Sequence, residues 1–174
     1  MIPESRKKPI IKSLLYRQII RFLQEEDKED NFDIAFISIS DGIIEAKKSN
    51  EWKYRESTIK LPPKNFRSGR TWISKKVKEK MAKKIVDYLY KNGSKYNIKI
   101  AYVRGSYLES VRMATKKSGI EIKEIFSDDE LAQLKKKGIM WMKVGLRMST
   151  PFIIFRIKIR EFIKNNEDKQ LKLF

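Results

Sequence analysis

The chain of 174 residues contains no cysteine and no histidine. Without cysteine there is no disulfide, no thiolate nucleophile and no Cys-ligated metal. Without histidine there is no imidazole general base, so Ser-His and Cys-His hydrolase chemistry is excluded. Long apolar runs are missing too, and no stretch approaches the roughly 20 residues of a spanning helix. The first ten residues, MIPESRKKPI, lack a signal-peptide apolar core. With a glutamate and one serine they also make a poor organelle-import sequence. Acidic residues are scarce beside basic ones: 22 Asp and Glu against 40 Lys and Arg, a net charge of +18. A surplus of that size repels itself, so the folded state expects a polyanion. Nucleic acid fits best because phosphates accept Lys and Arg all along a backbone; an anionic membrane fits less well.

What is present can build a core: 41% hydrophobic and 11% aromatic residues argue against general disorder. Residues 9–25 carry Ile11, Leu14, Leu15, Ile19 and Phe22 at helical spacing, with Pro9 as the expected start. The acidic run 25–31 reads as a solvated linker. Residues 32–40, FDIAFISIS, alternate as a strand, and Asp41-Gly42 is a hairpin turn signal. IIEAKKS and YRESTIKL continue a three-strand antiparallel meander that Pro62 and Pro63 end. A basic loop, 64–72, leads into a helix with Ile73, Val77, Met81, Ile85 and Leu89 on one face and Gly93 as its stop. Its other face holds six lysines between Lys75 and Lys84. Strand 97–103, helix 106–119 closed by Gly119, and strand 120–126 follow. The order predicts an α/β fold with a mixed sheet, a meander and then two βα crossovers, with helical extensions at both termini. Beyond Ser127 come a short capped helix, an apolar stretch, a helix with Thr150 as cap and Pro151 as its first helical residue, and a loose tail, NEDKQLKLF. The predicted boundaries are a helical extension and acidic linker over 1–31, an α/β domain over 32–129 and a carboxy-terminal extension over 130–174.

A meander followed by crossovers is also the ribonuclease H-like layout, whose nucleases hold metal ions with clustered carboxylates. Asp41 and Glu45 lie on the opening hairpin, whereas Asp87, Glu109 and Asp128 fall on helices or loops, and all read better as solvated or turn carboxylates. YVRGSYLES (102–110) is too short for a P-loop and lacks the glycines of a dinucleotide fingerprint. It leaves a helix N-terminus behind Arg104 and Gly105, which suits one backbone phosphate of a polynucleotide. NFRSGRTW puts Arg67 and Arg70 beside Phe66 and Trp72; NEWKYR holds Trp52, Lys53, Tyr54 and Arg55. Basic residues interleaved with aromatics suit RNA, and each stretch suits an ordinary surface loop as well.

These stretches together resemble the S-eleven family of small-subunit ribosomal proteins over residues 32–129. FISISDGIIEA is similar to the family's opening hairpin. FRSGR resembles the Phe-Lys-Gly-Ser-Arg before its first crossover helix, and VRG its Val-Lys-Gly. Glu109 and Ser110 match a family Glu-Ser, and SGIEIKEIFSD resembles Ala-Gly-Leu-Glu-Val-x-x-Ile-x-Asp. The chain departs where Gly105 is followed by SYLE in place of the family's further glycines, and where its end lacks the family's basic Pro-His-Asn-Gly-Cys-Arg tail.

The resemblance implies a ribonuclease H-like fold without nuclease activity, hence a non-enzyme that needs no cofactor and no metal. It implies binding to small-subunit rRNA in the platform, contacts with neighbouring ribosomal proteins, proximity to messenger RNA near its exit, and no membrane. Arg67, Arg70, Arg104, Gly105, Arg112, Lys116 and Lys117 are the expected RNA contacts, with Lys53, Arg55 and the carboxy-terminal basic residues secondary. Heavy use of Ile, Lys, Asn and Phe is what an AT-rich genome encodes, and no presequence is visible. The expectation is a mitochondrial, organelle-encoded ribosomal protein. The alternatives are a metal-dependent nuclease of the same fold and a free-standing single-strand binding protein.

Overall fold

The computed structural model describes residues 1–3, 13–38, 42–45, 74–138, 145–147 and 149–171. The protein is mixed α/β and mostly helical, with small sheets. Its described residues form two compact units, Met1–Glu124 and Ile125–Phe174.

In the first unit, β1 (Ile2–Pro3) runs parallel to β2 (Ala35–Ser38), and β2 runs antiparallel to β3 (Gly42–Glu45). Ser38 opposes Gly42, so the expected hairpin is present; its turn, 39–41, and the expected third strand of the meander lie outside the described residues. β4 (Ile100–Ala101) pairs in parallel with β5 (Lys123–Glu124). The strand β1 has no counterpart in the sequence reading, which assigned residues 1–31 to an extension. The Tyr102 N–H donates to the Met1 carbonyl at 2.8 Å and the Met1 amine donates to the Ile100 carbonyl, so backbone bonds carry the ladder from β1 to β4. Pro3 has no N–H to give, which suits the end of so short a strand. Burial pulls the Met1 amine down to about 5.

All four residues of β2 are buried. Both faces of the sheet are therefore covered there, unlike the half-solvated strand that alternation suggested. On the Phe36 side the cover is α1 (Leu14–Glu25), whose Tyr16 ring lies 5.6 Å from that of Phe36. Helix α1 begins later than Pro9 implied. Ser13 is extended and its hydroxyl accepts from the Tyr16 N–H at 3.2 Å, which satisfies one of the free donors of the first turn.

The acidic run after α1 is more ordered than a linker. The Lys28 N–H donates to the Leu23 carbonyl at 2.9 Å and the Asp27 N–H to the Gln24 carbonyl at 3.0 Å. This crossed pair is the Schellman arrangement, and Asp27 occupies its left-handed position at φ 54°. A 3₁₀ turn, Glu29–Asn31, follows. An aspartate there carries both a Cβ penalty and a negative charge at the negative end of a helix. Asp27→Gly should therefore raise stability by about 1 kcal/mol, read as a higher urea midpoint at unchanged slope; an equal or lower midpoint would refute this account of the turn.

Helix α2 (Lys75–Asn92) is capped by Ser74, whose hydroxyl accepts from the Val77 N–H at 3.3 Å. It stops at Gly93 as expected, though without the left-handed conformation of a glycine cap. Gly93 has φ −64° and continues into a 3₁₀ turn, Gly93–Lys95. The Asn92 side chain closes the helix instead, donating to the Tyr88 carbonyl at 3.3 Å and accepting from Lys95 at 3.0 Å. Helix α3 (Ser106–Ser118) does end as expected, on left-handed Gly119 at φ 69°. Met81, Ala82, Ile85 and Leu89 of α2 and Leu108, Val111 and Ala114 of α3 are buried, and the two helices pack against each other.

In the second unit, Ser127 and Glu130 form a reciprocal capping box at the start of α4 (Asp128–Lys136). The Glu130 carboxylate also accepts from Lys158 of α5 (Ser149–Leu171) at 2.7 Å. Burial works to raise the Glu130 pKa, but the hydrogen bonds from Lys158 and Ser127, with the Lys158 charge, leave it below its ordinary value. Thr150 lies inside α5 and not at its cap, and Pro151 sits in the first turn, where its missing N–H costs no bond. The helix also runs on to Leu171 through most of the expected loose tail. Asn-Glu-Asp-Lys-Gln-Leu contains no glycine or proline, so nothing in it stops a helix already under way.

Candidate nucleic-acid interface

The charge surplus has a definite place on α2. At 3.6 residues per turn, Met81, Ile85 and Leu89 make one stripe, and Lys76, Lys80, Lys83 and Lys91 fall on the side facing away from it. These four lysines are exposed and make no ion pair among the described residues. The first turn has no acid to match the helix dipole and carries Lys75, Lys76 and Lys78 in its place. Positive charge at that end is unfavourable for the helix, and an approaching anion would relieve it. Lys78 is turned inward and pairs with Glu109 of α3.

That ion pair joins the N-terminal turns of the two helices, and Gly93 and Ile120 approach each other at their far ends. Helices α2 and α3 therefore run parallel, and Lys91 lies at the same end as Lys116 and Lys117. Both of these expected contacts are exposed in the last turn of α3, where the helix dipole favours a cation. Neither makes an ion pair among the described residues.

Arg104 and Gly105 form the turn into α3, as expected. Gly105 is the N-cap residue at φ 55° and ψ −134°, and no atom lies within 4 Å of where a Cβ would stand. The space is open, so the glycine is required by its backbone angles and not by crowding. Gly105→Ala should cost about 1–3 kcal/mol, measured by urea unfolding, and a wild-type midpoint would show that the turn relaxes without strain. Arg104 is half-buried; burial pulls its guanidinium below the ordinary value while the neighbouring Tyr102 phenol opposes the shift. Burial pushes the Tyr102 phenol well above its usual range.

Arg112, another of the expected RNA contacts, is paired within the fold. Its guanidinium forks onto the Glu124 carboxylate of β5, with Nε–Oε1 at 2.8 Å and Nη2–Oε2 at 2.7 Å. The charge is matched within the fold, which ties α3 to the strand that follows it. Arg67, Arg70, Lys53 and Arg55 lie outside the described residues, with Trp52, Tyr54, Phe66 and Trp72.

The sequence reading did not single out Tyr90, which is 65% exposed on the lysine side of α2. Its position seven residues after Lys83, off the apolar stripe, was the available signal. The carboxylates do not gather: Glu109 is held by Lys78, Asp87 is exposed on α2, and Asp128 starts α4. Asp41 and the Glu45 side chain lie outside the described residues. Among the described residues no group of three or more acidic side chains is placed to hold a metal ion. Among them, too, no helix is long and apolar enough to cross a membrane.

No protein-family profile, no curated protein and no solved structure matches the chain.

Proposed function

We propose that the chain is a structural protein of the small ribosomal subunit, of the S-eleven family, working in a mitochondrial ribosome. It binds small-subunit rRNA of the platform and catalyses nothing. In this reading the small sheets belong to a ribonuclease H-like domain, extended at both ends by segments that meet neighbouring ribosomal proteins. The observation that carries the proposal is where the positive charge stands. Lys76, Lys80, Lys83, Lys91, Lys116 and Lys117 are exposed and make no ion pair among the described residues, on two parallel helices. A face of that kind neutralises phosphates where rRNA helices meet, and Gly105 lets backbone N–H groups come close to one. The Arg104 turn adds a half-buried cation beside it.

Sucrose-gradient fractionation of a mitochondrial extract tests the proposal. The chain should travel with small subunits in magnesium and leave them on ribonuclease treatment. If it stays at the top of the gradient while the subunits remain intact, the ribosomal assignment is wrong. Magnesium-dependent cleavage of nucleic acid, abolished by Asp41→Asn, would instead establish a nuclease.

A further inference from the structure

We infer that the outward face of α2 takes an unpaired stretch of RNA, with one base stacked on Tyr90 and the flanking phosphates held by Lys83 and Lys91. The inference rests on the RNA-binding reading and narrows it to a class of RNA structure. A single exposed aromatic is ordinary on a protein surface, so the surroundings decide its meaning. Lys76, Lys83 and Tyr90 recur every seven residues, which sets them along one line of the helix about 10 Å apart. Lys80 and Lys91 lie beside that line, both on the same side of it. The Tyr90 ring makes no hydrogen bond and no ring contact among the described residues, and with the residue 65% exposed it offers open surface to a base. The acids near this line are Glu79 and Asp87. Asp87 stands one turn before Tyr90 and repels a phosphate from that position, which directs the backbone to the lysines on either side.

A protein partner fits this face poorly, because the centres of protein interfaces are depleted in lysine and this face carries four. A continuous RNA duplex fits poorly as well. Its base faces are stacked inside, and a tyrosine ring would meet only sugar and phosphate. An unpaired base offers an open π-face, and stacking on an aromatic tolerates any base, while lysines supply the attraction to the backbone. Loops, bulges and single-stranded junctions of a folded RNA present that combination.

The test compares two labelled RNAs on the full-length chain by fluorescence anisotropy: a hairpin with an unpaired loop, and a fully paired duplex of equal length. The wild type should prefer the hairpin. Tyr90→Ala should weaken hairpin binding by about 5- to 150-fold and leave duplex binding and its salt dependence unchanged. Tyr90→Phe should stay within about twofold of wild type, since the ring and not the hydroxyl stacks. Wild-type hairpin affinity in Tyr90→Ala, or an equal loss on the duplex, would overturn the inference while leaving salt-dependent RNA binding standing. No binding of either RNA at low salt would overturn it together with the reading on which it rests.

Discussion

Changing Lys76, Lys80, Lys83 and Lys91 to glutamate together should weaken RNA binding by about 100-fold or more at 0.15 M salt while the protein stays folded. Each substitution shifts the charge by two, so the net charge falls from +18 to about +10. The residues are exposed and carry no ion pair among the described residues, so the fold loses no contact there. Acidic residues in the first turn even suit the helix dipole better than Lys76 does. The loss should therefore lie mainly in binding, with glutamates beside Asp87 and at the negative end of α2 costing about 1 kcal/mol of stability. If each lysine meets a phosphate, the slope of log affinity against log salt should become shallower by about three to four. The slope separates this face from general attraction to a basic protein. Four reversals on the exposed lysines at the end of α4, Lys135 and Lys136 with Lys137 just after it, and Lys164 of α5 change the net charge equally and should leave the slope nearer the wild-type value. Equal losses from both sets would mean that total charge, and not the α2 face, governs binding.

The second large effect is expected in the core. Phe36 is fully buried in the middle of β2, opposite Ile2 of β1 on one side and Ile44 of β3 on the other, with its ring against Tyr16 of α1. Phe36→Ala removes the apolar contact between helix and sheet and leaves a cavity that a strand bonded on both edges cannot close. The expected cost is about 3–5 kcal/mol, a large part of the whole stability of a domain. Leu14→Ala, at an exposed position of the same helix, should cost well under 1 kcal/mol by comparison. Urea unfolding followed by circular dichroism gives both values. A cost near 1 kcal/mol for Phe36→Ala would mean that α1 does not form part of the core.

Local signals read true at some helix ends, although Pro9 does not start α1 and Thr150 does not cap α5. Gly119 ends α3 because the left-handed position wants glycine, and Ser127 with Glu130 starts α4, since each partner lies within a few residues. Partners far along the chain were invisible. Ile2 and Pro3 have no periodicity of their own, and only β2 and the residues around β4 make them a strand. Alternation over 120–126 marked burial correctly at Ile122, yet the ladder itself covers only Lys123 and Glu124, because pairing needs a partner and alternation does not. In the candidate site, the Arg104–Gly105 turn was legible from Arg-Gly ahead of a helical pattern. Arg112 was not, because its carboxylate comes from the next strand. Tyr90 could be told from the core residue Leu89 beside it only once the packed face of α2 was known.

The position of β1 also sets a timetable. Met1 and its partner Ile100 are 99 residues apart, so β1 leaves the ribosome long before its β4 neighbour exists. At about 5–20 residues per second, roughly 5–20 s pass before the two can meet. During that interval the outer edge of β1 stays open, because the backbone groups of Met1 wait for Ile100 and Tyr102. Closing the sheet is then a late event that waits for the Tyr102 N–H. Residues 1–3 are among the last to be fixed, and a nascent chain halted before residue 102 would hold the hairpin without β4 to join it to the rest.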